Sequence, residues 1–140
     1  MFEKKGYFLA FLLSYWHIGC ADTMDHYMNI VNNIPKMEIQ ADGQAQVWAK
    51  SARNVLLLTC ESVAESMLIA NAAAEKQGAR LFCLPAGVTL NGYVLRNIVQ
   101  QTYNDLSTPE HVKAKMTVSE IALLGLTQNY PCSQAGIRPK

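Results

Sequence analysis

The chain has 140 residues, half of them apolar, and its 12 Lys and Arg side chains almost balance its 11 Asp and Glu side chains. This length corresponds to one domain, and the apolar content is too high for a disordered chain. Because no block of like charge is present, nothing in the composition points to nucleic-acid binding.

The N-terminal residues have the pattern of a secretory signal peptide. Lys4 and Lys5 precede a largely apolar run of twelve residues over 7–18, and small residues follow at 19–21. The run is shorter than the ~20 residues that span a bilayer. We therefore expect cleavage before Asp22 and no stable membrane insertion afterwards.

The resulting domain organisation is a signal peptide over 1–21 followed by a single domain over 22–140. Two alternatives remain for the leader. It could instead be a buried N-terminal helix, or the chain could be a lipoprotein, because residues 18–20 are similar to the end of a lipobox and would place a lipid on Cys20.

Two helices are predicted in the first half of the mature chain. The first begins at Asp22 or Thr23, either of which is a competent N-cap, and ends at Pro35. The second extends from residue 44 to residue 77, where neither Gly nor Pro occurs, and Gly78 ends it.

Two more helices are predicted in the second half. The third opens with Thr89 as its N-cap and ends near Asn104. Residues 107–110, Ser-Thr-Pro-Glu, have the pattern of a helix start, so the fourth extends from there to about Asn129. Its expected inner row is Val112, Met116, Ser119, Leu123 and Leu126.

The predicted fold is an all-α bundle of about four helices, because no stretch alternates as a strand would. The last two helices should form an antiparallel hairpin. Cys83 precedes this hairpin and Cys132 follows it, so the hairpin should bring the two sulfurs together as a disulfide. Cys60 is then a free, buried thiol; a bond between Cys60 and Cys83 is the main alternative.

The search for catalytic or metal-binding residues gives no reaction centre. The two mature histidines, His26 and His111, have no spacing that sets two metal ligands on one face, and no protease-like sequence surrounds Cys60. Glu61 and Glu65 are interpreted as a solvated helix face. We therefore expect no enzyme activity and no cofactor. Residues 36–46, with Met37 and Ile39 expected to be exposed among polar residues, are either a contact loop or an ordinary helix connection.

One stretch resembles the Rap/Tai family of bacterial immunity proteins. The family has a Phe-Cys-Leu-Pro-x-Gly-Val-Thr box before a helical hairpin that ends in an aromatic residue, Pro and Cys. This chain matches that pattern over residues 81–132, through Phe82, Cys83, Leu84, Pro85, Gly87, Val88, Thr89, Pro131 and Cys132.

An upstream family pattern, Cys-x-Gly-Tyr-x-x-Gly, is matched only weakly by residues 60–66. Residues 22–59 also carry no cysteine, although many relatives have one there. Cys60 would then lack the partner that those relatives supply.

The resemblance implies a periplasmic protein that binds and inhibits a peptidoglycan amidase toxin delivered by type VI secretion, often as a homodimer. The toxin-binding residues are not carried over, and the matched box is interpreted as structural. The alternative is a small periplasmic helical stress or chaperone-like binding protein, which would expose apolar surface to its client.

Overall fold

The computed structural model describes residues 22–132, so the predicted signal peptide lies outside the described residues. This part of the chain is all-α, as predicted, and contains five helices. They are α1 (Met24–Glu38), α2 (Gly43–Lys76), α3 (Gly92–Asp105), α4 (Glu110–Lys113) and α5 (Val118–Asn129).

Helix α1 continues beyond Pro35, so the prediction that this proline ends the helix is wrong. Pro35 lies in the last turn and α1 ends at Glu38. The missing N–H of a proline removes one intrahelical bond. The following backbone still closes the turn, because the N–H of Ile39 donates to the carbonyl of Pro35 at 3.4 Å.

Helix α2 has 34 residues and matches its predicted extent to within one residue at each end. The Asp42 side chain caps its N-terminus by accepting from the backbone N–H of Gln44 at 3.0 Å. Gly78 lies just beyond its C-terminus with a φ of +78°, a conformation that glycine adopts readily.

Helix α3 is capped by Asn91, and the prediction of Thr89 as its N-cap is wrong. The Asn91 side chain accepts from the N–H of Val94 at 3.0 Å. Within the box and ahead of this cap, residues 85–88 form a turn in which the N–H of Val88 donates to the carbonyl of Pro85 at 3.1 Å. Gly87 supplies the positive φ, +85°, that this turn requires.

The predicted fourth helix is divided into α4 and α5. Thr117 starts α5 with a capping box: its hydroxyl accepts from the N–H of Glu120 at 3.1 Å, and the Glu120 carboxylate accepts from the N–H of Thr117 at 2.6 Å. Just before this cap, the carbonyls of Ala114 and Met116 accept from the first N–H groups of α1, each at 2.8 Å. The chain between α4 and α5 therefore accepts hydrogen bonds from the first N–H groups of α1 instead of continuing as a helix.

The expected inner row of the fourth helix is also wrong in part. Val112 and Ser119 are exposed, and Met116 and Leu123 are half-buried. Of the expected row only Leu126 is fully buried. Restarting the helix at Thr117 rotates its face, so the buried residues of α5 are Val118, Ile121, Ala122, Gly125 and Leu126.

The helices pack around α2 and α3. Helix α2 contacts α1 on one side and α3 on the other, and α3 contacts α5 as the predicted hairpin. Gly125 lies at a close contact between α3 and α5, since a Cβ there would be 2.5 Å from the Ile98 side chain. The main buried side chains of the core are Met24, Tyr27, Leu56, Cys60, Phe82, Leu95, Ile98, Val99, Val118, Ile121 and Leu126.

Candidate functional site

The residues of the box close the open end of the α3–α5 hairpin. Cys83 and Cys132 form the predicted disulfide, with their Cα atoms 4.9 Å apart. The N–H of Cys83 also donates to the carbonyl of Tyr130 at 2.8 Å. Phe82 is fully buried and Leu84 half-buried, whereas residues 85–89 and Pro131 are exposed. The box therefore anchors the hairpin on one side and presents a turn on the other.

A residue that the sequence analysis missed holds the box against α2. The Asn71 side-chain oxygen accepts from the N–H groups of Leu81, at 2.8 Å, and of Phe82, at 3.1 Å. Its amide nitrogen donates to the carbonyl of Phe82 at 3.0 Å. The sequence signal that could have identified Asn71 is its position as an isolated amide side chain in the alanine-rich C-terminal part of α2.

Cys60 is a free thiol that is completely buried, and the alternative Cys60–Cys83 bond does not form. Its sulfur lies 3.4 Å from the hydroxyl of Tyr27. Burial raises the pKa of the Cys60 thiol and that of the Tyr27 hydroxyl. A nucleophilic cysteine requires the opposite shift together with access to substrate, so the geometry favours a core role for Cys60.

The remaining titratable candidates are not brought together. The His26 ring lies 2.7 Å from the Asp22 carboxylate at the start of α1, and His111 is exposed on α4. Among residues 22–132, no group of three or more His, Cys, Asp or Glu side chains could hold a metal ion. Glu61 is not simply a solvated side chain, because its carboxylate accepts from the N–H of Gly92 at the start of α3.

A polar cleft of about 600 Å³ lies between α1, the end of α3 and α4. Its lining carries one network, in which the Tyr103 hydroxyl donates to Glu110 at 2.6 Å and the Lys113 ammonium lies 3.0 Å from the same carboxylate. The Lys113 ammonium also lies 4.6 Å from the centre of the Tyr103 ring. The other lining residues are Asp25, Met28, Asn29, Asn32, Asn33, Lys36, Asn104 and Ala114.

The pKa values of two members of this network, Tyr103 and Glu110, are shifted in opposite directions. Burial, aided by the bond to the Glu110 carboxylate, raises the pKa of Tyr103 to about 12. The same bond, together with Lys113, lowers the pKa of Glu110. The cleft therefore holds a phenol that donates to a carboxylate in a set arrangement, whereas its asparagines offer neutral donors and acceptors.

The outer face of α2 carries an exposed apolar surface that we call the outer stripe. Its members recur along the helix from one end to the other, and Leu58 near the middle is 65% exposed. Apolar side chains exposed singly are ordinary on a protein surface, whereas several along one helix mark a candidate contact surface. The outer stripe consists of Val47, Trp48, Val55, Leu58, Leu68 and Ile69.

Among the described residues, α2 is also the one helix long and apolar enough, judged by length and composition, to cross a membrane. Its inner face is part of the core, however, with Leu56, Cys60 and Ala64 buried against the other helices. Crossing a bilayer would require that face to separate from α1 and α3.

The predicted contact segment over residues 36–46 is mostly helical. Residues up to Glu38 belong to α1, and α2 begins at Gly43. Met37 is half-buried against the core, contrary to expectation, whereas Ile39 is 86% exposed. An ion pair between Arg53 and Glu38, at 2.6 Å, holds this corner on α2. The free connection is therefore only about four residues long.

Comparisons of the chain with protein-family models, with curated proteins and with solved structures give no match.

Proposed function

We propose that this protein is an exported immunity protein that binds a peptidoglycan amidase toxin delivered by type VI secretion and inhibits it. The observation that carries the proposal is that the box residues close the open end of the α3–α5 hairpin. The two ends of the α3–α5 hairpin, at Cys83 and Cys132, are joined by a disulfide and anchored through Phe82. The resemblance to the Rap/Tai family rests on these same residues.

The periplasm is the compartment that we propose, and two features support it. A disulfide persists where the surroundings are oxidising, as in the periplasm. The sequence also begins with two lysines and an apolar run, the pattern of a signal peptide. Sequencing the N-terminus of the protein purified from the periplasm tests the leader, since cleavage leaves Asp22 first, whereas a lipoprotein would retain Cys20.

The polar cleft is the surface that we assign to the amidase. The Tyr103–Glu110–Lys113 network holds polar groups in place before a partner arrives, so less side-chain entropy is lost on binding. Asparagine side chains, four of which line the cleft, also provide adaptable hydrogen bonds in protein interfaces. Inhibition then needs only a rigid surface that covers the toxin's cleft.

The test is coexpression in the periplasm with the amidase encoded next to this gene. We expect survival of the cells, and copurification with a catalytically inactive amidase. Asn32→Arg, which fills the polar cleft with a large charged side chain, should abolish both. The control is Gln128→Arg on the exposed face of α5. Lysis and no complex, from a folded and exported protein, would refute the pairing; equal loss with Gln128→Arg would refute the assigned surface.

The second candidate function is a periplasmic stress or chaperone-like binding protein, and the exposed outer stripe is the observation that favours it. A chaperone should suppress the aggregation of unrelated unfolded proteins. An immunity protein should leave that aggregation unchanged while protecting against one amidase. Measuring light scattering of a reduced, aggregating client with and without the protein separates the two.

A further inference from the structure

We propose that the polar cleft binds a short extended peptide with unblocked termini, whose ammonium lies at Asp25 and whose carboxylate lies at Lys36. The observation that carries this inference is the order of polar groups along one face of α1. Four residues that line the cleft follow one another at intervals of four, three and four residues: Asp25, Asn29, Asn32 and Lys36. Such spacing sets side chains in one row along a helix, so the acid and the base lie at opposite ends of the row.

The two charged ends of this row are available to a ligand. Asp25 and Lys36 are both exposed, and neither forms an ion pair with another residue of 22–132. The Glu110 carboxylate, in contrast, already accepts from the Tyr103 hydroxyl at 2.6 Å and lies 3.0 Å from the Lys113 ammonium. A cationic group that enters the cleft therefore finds its partner at Asp25, whereas an anionic group finds its partner at Lys36.

The distance between these ends sets the length of the ligand. Asp25 and Lys36 are 11 residues apart on α1, which is about 16 Å at the ~1.5 Å rise of a helix. An extended chain advances ~3.3 Å per residue, so about five residues cover that distance. The volume of the cleft, about 600 Å³, is typical of small-ligand sites. The length therefore favours a peptide over a single amino acid.

Carboxamide groups line the cleft between its charged ends. The side-chain nitrogen of Asn33 donates to the side-chain oxygen of Asn29, and also to the Asn29 backbone carbonyl at 3.0 Å. This pairing leaves the Asn29 amide nitrogen as a donor and the Asn33 side-chain oxygen as an acceptor. Asn32 and Asn104 add two further carboxamides. An extended peptide has unsatisfied C=O and N–H groups at every residue, and these are the groups that carboxamides bind.

The lining also predicts that the side chains of the ligand are small. Among the described residues around the cleft, the apolar surface is limited to Met28, Ala114 and the ring of Tyr103. Large apolar side chains would therefore gain little contact there. Peptides rich in alanine fit this lining, so penta-alanine is the probe that we choose.

Two other classes of ligand fit the cleft less well. A polyanion such as a nucleic acid would meet the carboxylates of Asp25 and Glu110 at one end. A neutral sugar would use the asparagines but neither charged end. The inference does not need the amidase proposal, because it concerns the protein on its own. If both are correct, the peptide and the amidase compete for one surface.

The first experiment is isothermal titration calorimetry of the protein purified from the periplasm with penta-alanine. We expect saturable binding of one peptide per chain. Asp25→Asn and Lys36→Gln should each weaken it by roughly tenfold, because each removes the charged partner of one terminus. The matched controls are Glu65→Gln and Lys50→Gln, which remove the same charges from the exposed surface of α2 and should bind like the unmodified protein. Circular dichroism should show all four variants folded.

The second experiment uses blocked peptides to identify which end of the ligand each residue binds. N-acetylated penta-alanine lacks the ammonium, so Asp25→Asn should no longer weaken its binding, whereas Lys36→Gln should still weaken it by roughly tenfold. C-amidated penta-alanine lacks the carboxylate and should show the opposite pattern.

Three results would overturn the inference. They are no binding of penta-alanine, equal binding of unblocked and doubly blocked penta-alanine, which would indicate a neutral ligand, and exchanged roles of Asp25 and Lys36 with the two blocked peptides. Failure of this inference is distinguishable from failure of the amidase proposal. If penta-alanine does not bind but Asn32→Arg still abolishes protection, only the peptide inference is overturned.

Discussion

Removing the disulfide between Cys83 and Cys132 should lower the free energy of unfolding by about 4 kcal/mol. The bond joins residues 49 apart in sequence. In the chain-entropy treatment, a loop of this size restricts the unfolded chain by about that amount. For a domain of this length, ~4 °C of melting temperature corresponds to 1 kcal/mol, so the variant should melt roughly 15 °C lower.

The perturbation is the double variant Cys83→Ser/Cys132→Ser. Both cysteines are half-buried, so serine adds little cost of its own. The assay is thermal unfolding followed by circular dichroism, with and without reductant. Reductant should lower the melting temperature of the unmodified protein to that of the variant and leave the variant unchanged, since Cys60 is present in both proteins.

A difference of only a few degrees between the two proteins would refute this reasoning. It would mean that the unfolded chain already holds the hairpin ends together, or that the hydrogen bond from Cys83 to Tyr130 and the burial of Phe82 close the hairpin without the bond. A variant that does not fold at all would show that the bond contributes more than the loop entropy.

Three further predictions concern the described fold. Thr117→Ala should lower the free energy of unfolding by about 1 kcal/mol by removing the cap of α5, whereas Thr23→Ala should have little effect because that side chain makes no capping bond; equal effects in chemical unfolding would contradict this. Gly125→Ala should cost about 1–3 kcal/mol through overpacking, whereas Gly43→Ala, with open space around it, should be neutral or stabilising; a neutral Gly125→Ala would show that the helices can separate at no cost. Burial raises the pKa of Tyr27 above its ordinary value of 10.0, so the folded state keeps a proton that the unfolded chain loses, and stability should fall as the pH rises above about 10. Tyr27→Phe should make that fall shallower in melts at successive pH values; an identical slope would show that this tyrosine ionises equally in both states.

Local signals predicted two parts of the fold correctly, although they misplaced the end of α1 at Pro35 and the cap of α3 at Thr89. Helix α2 could be bounded because residues 44–77 contain no helix breaker and a glycine follows them. The disulfide followed from the hairpin, because one cysteine lies at each of its ends. The bounds of α2 depend only on a contiguous stretch of sequence. The disulfide requires one further assumption, that the last two helices pack as a hairpin.

The division between α4 and α5 was missed although its signal is present. Thr117 and Glu120 have capping-box spacing, but an earlier start signal at residues 107–110 suggested one continuous helix. What makes the chain break is tertiary: the carbonyls of Ala114 and Met116 bond to the start of α1, more than eighty residues earlier. A sequence pattern within residues 107–129 cannot predict a contact with α1.

The candidate surfaces were predicted less completely than the fold. The polar cleft combines Asp25 and Lys36 of α1 with Tyr103, Glu110 and Lys113, which are distant in sequence. No spacing rule joins such residues before the helices are packed. The outer stripe was missed for a different reason, because Leu58 and Ile69 are apolar residues in a helical pattern and periodicity alone does not show which apolar face is covered.

The distribution of side-chain size around α2 bears on what the outer stripe is for. The buried face of the helix is built largely from small residues, Ala45, Ala49, Ala52 and Ala64, with Leu56 as its largest aliphatic member. Small residues allow α1 and α3 to approach closely. Val63 and Met67 still pack against the core. The most exposed bulky residues of α2, Val47, Leu58 and Ile69, face outward instead, where they add little to the stability of a single chain. The outer stripe is therefore the surface that distinguishes the two candidate functions, because a chaperone-like protein would use it to bind a client, whereas the amidase proposal uses the polar cleft. Replacing Leu58, which is 65% exposed, by a polar residue should leave the free energy of unfolding nearly unchanged in chemical unfolding.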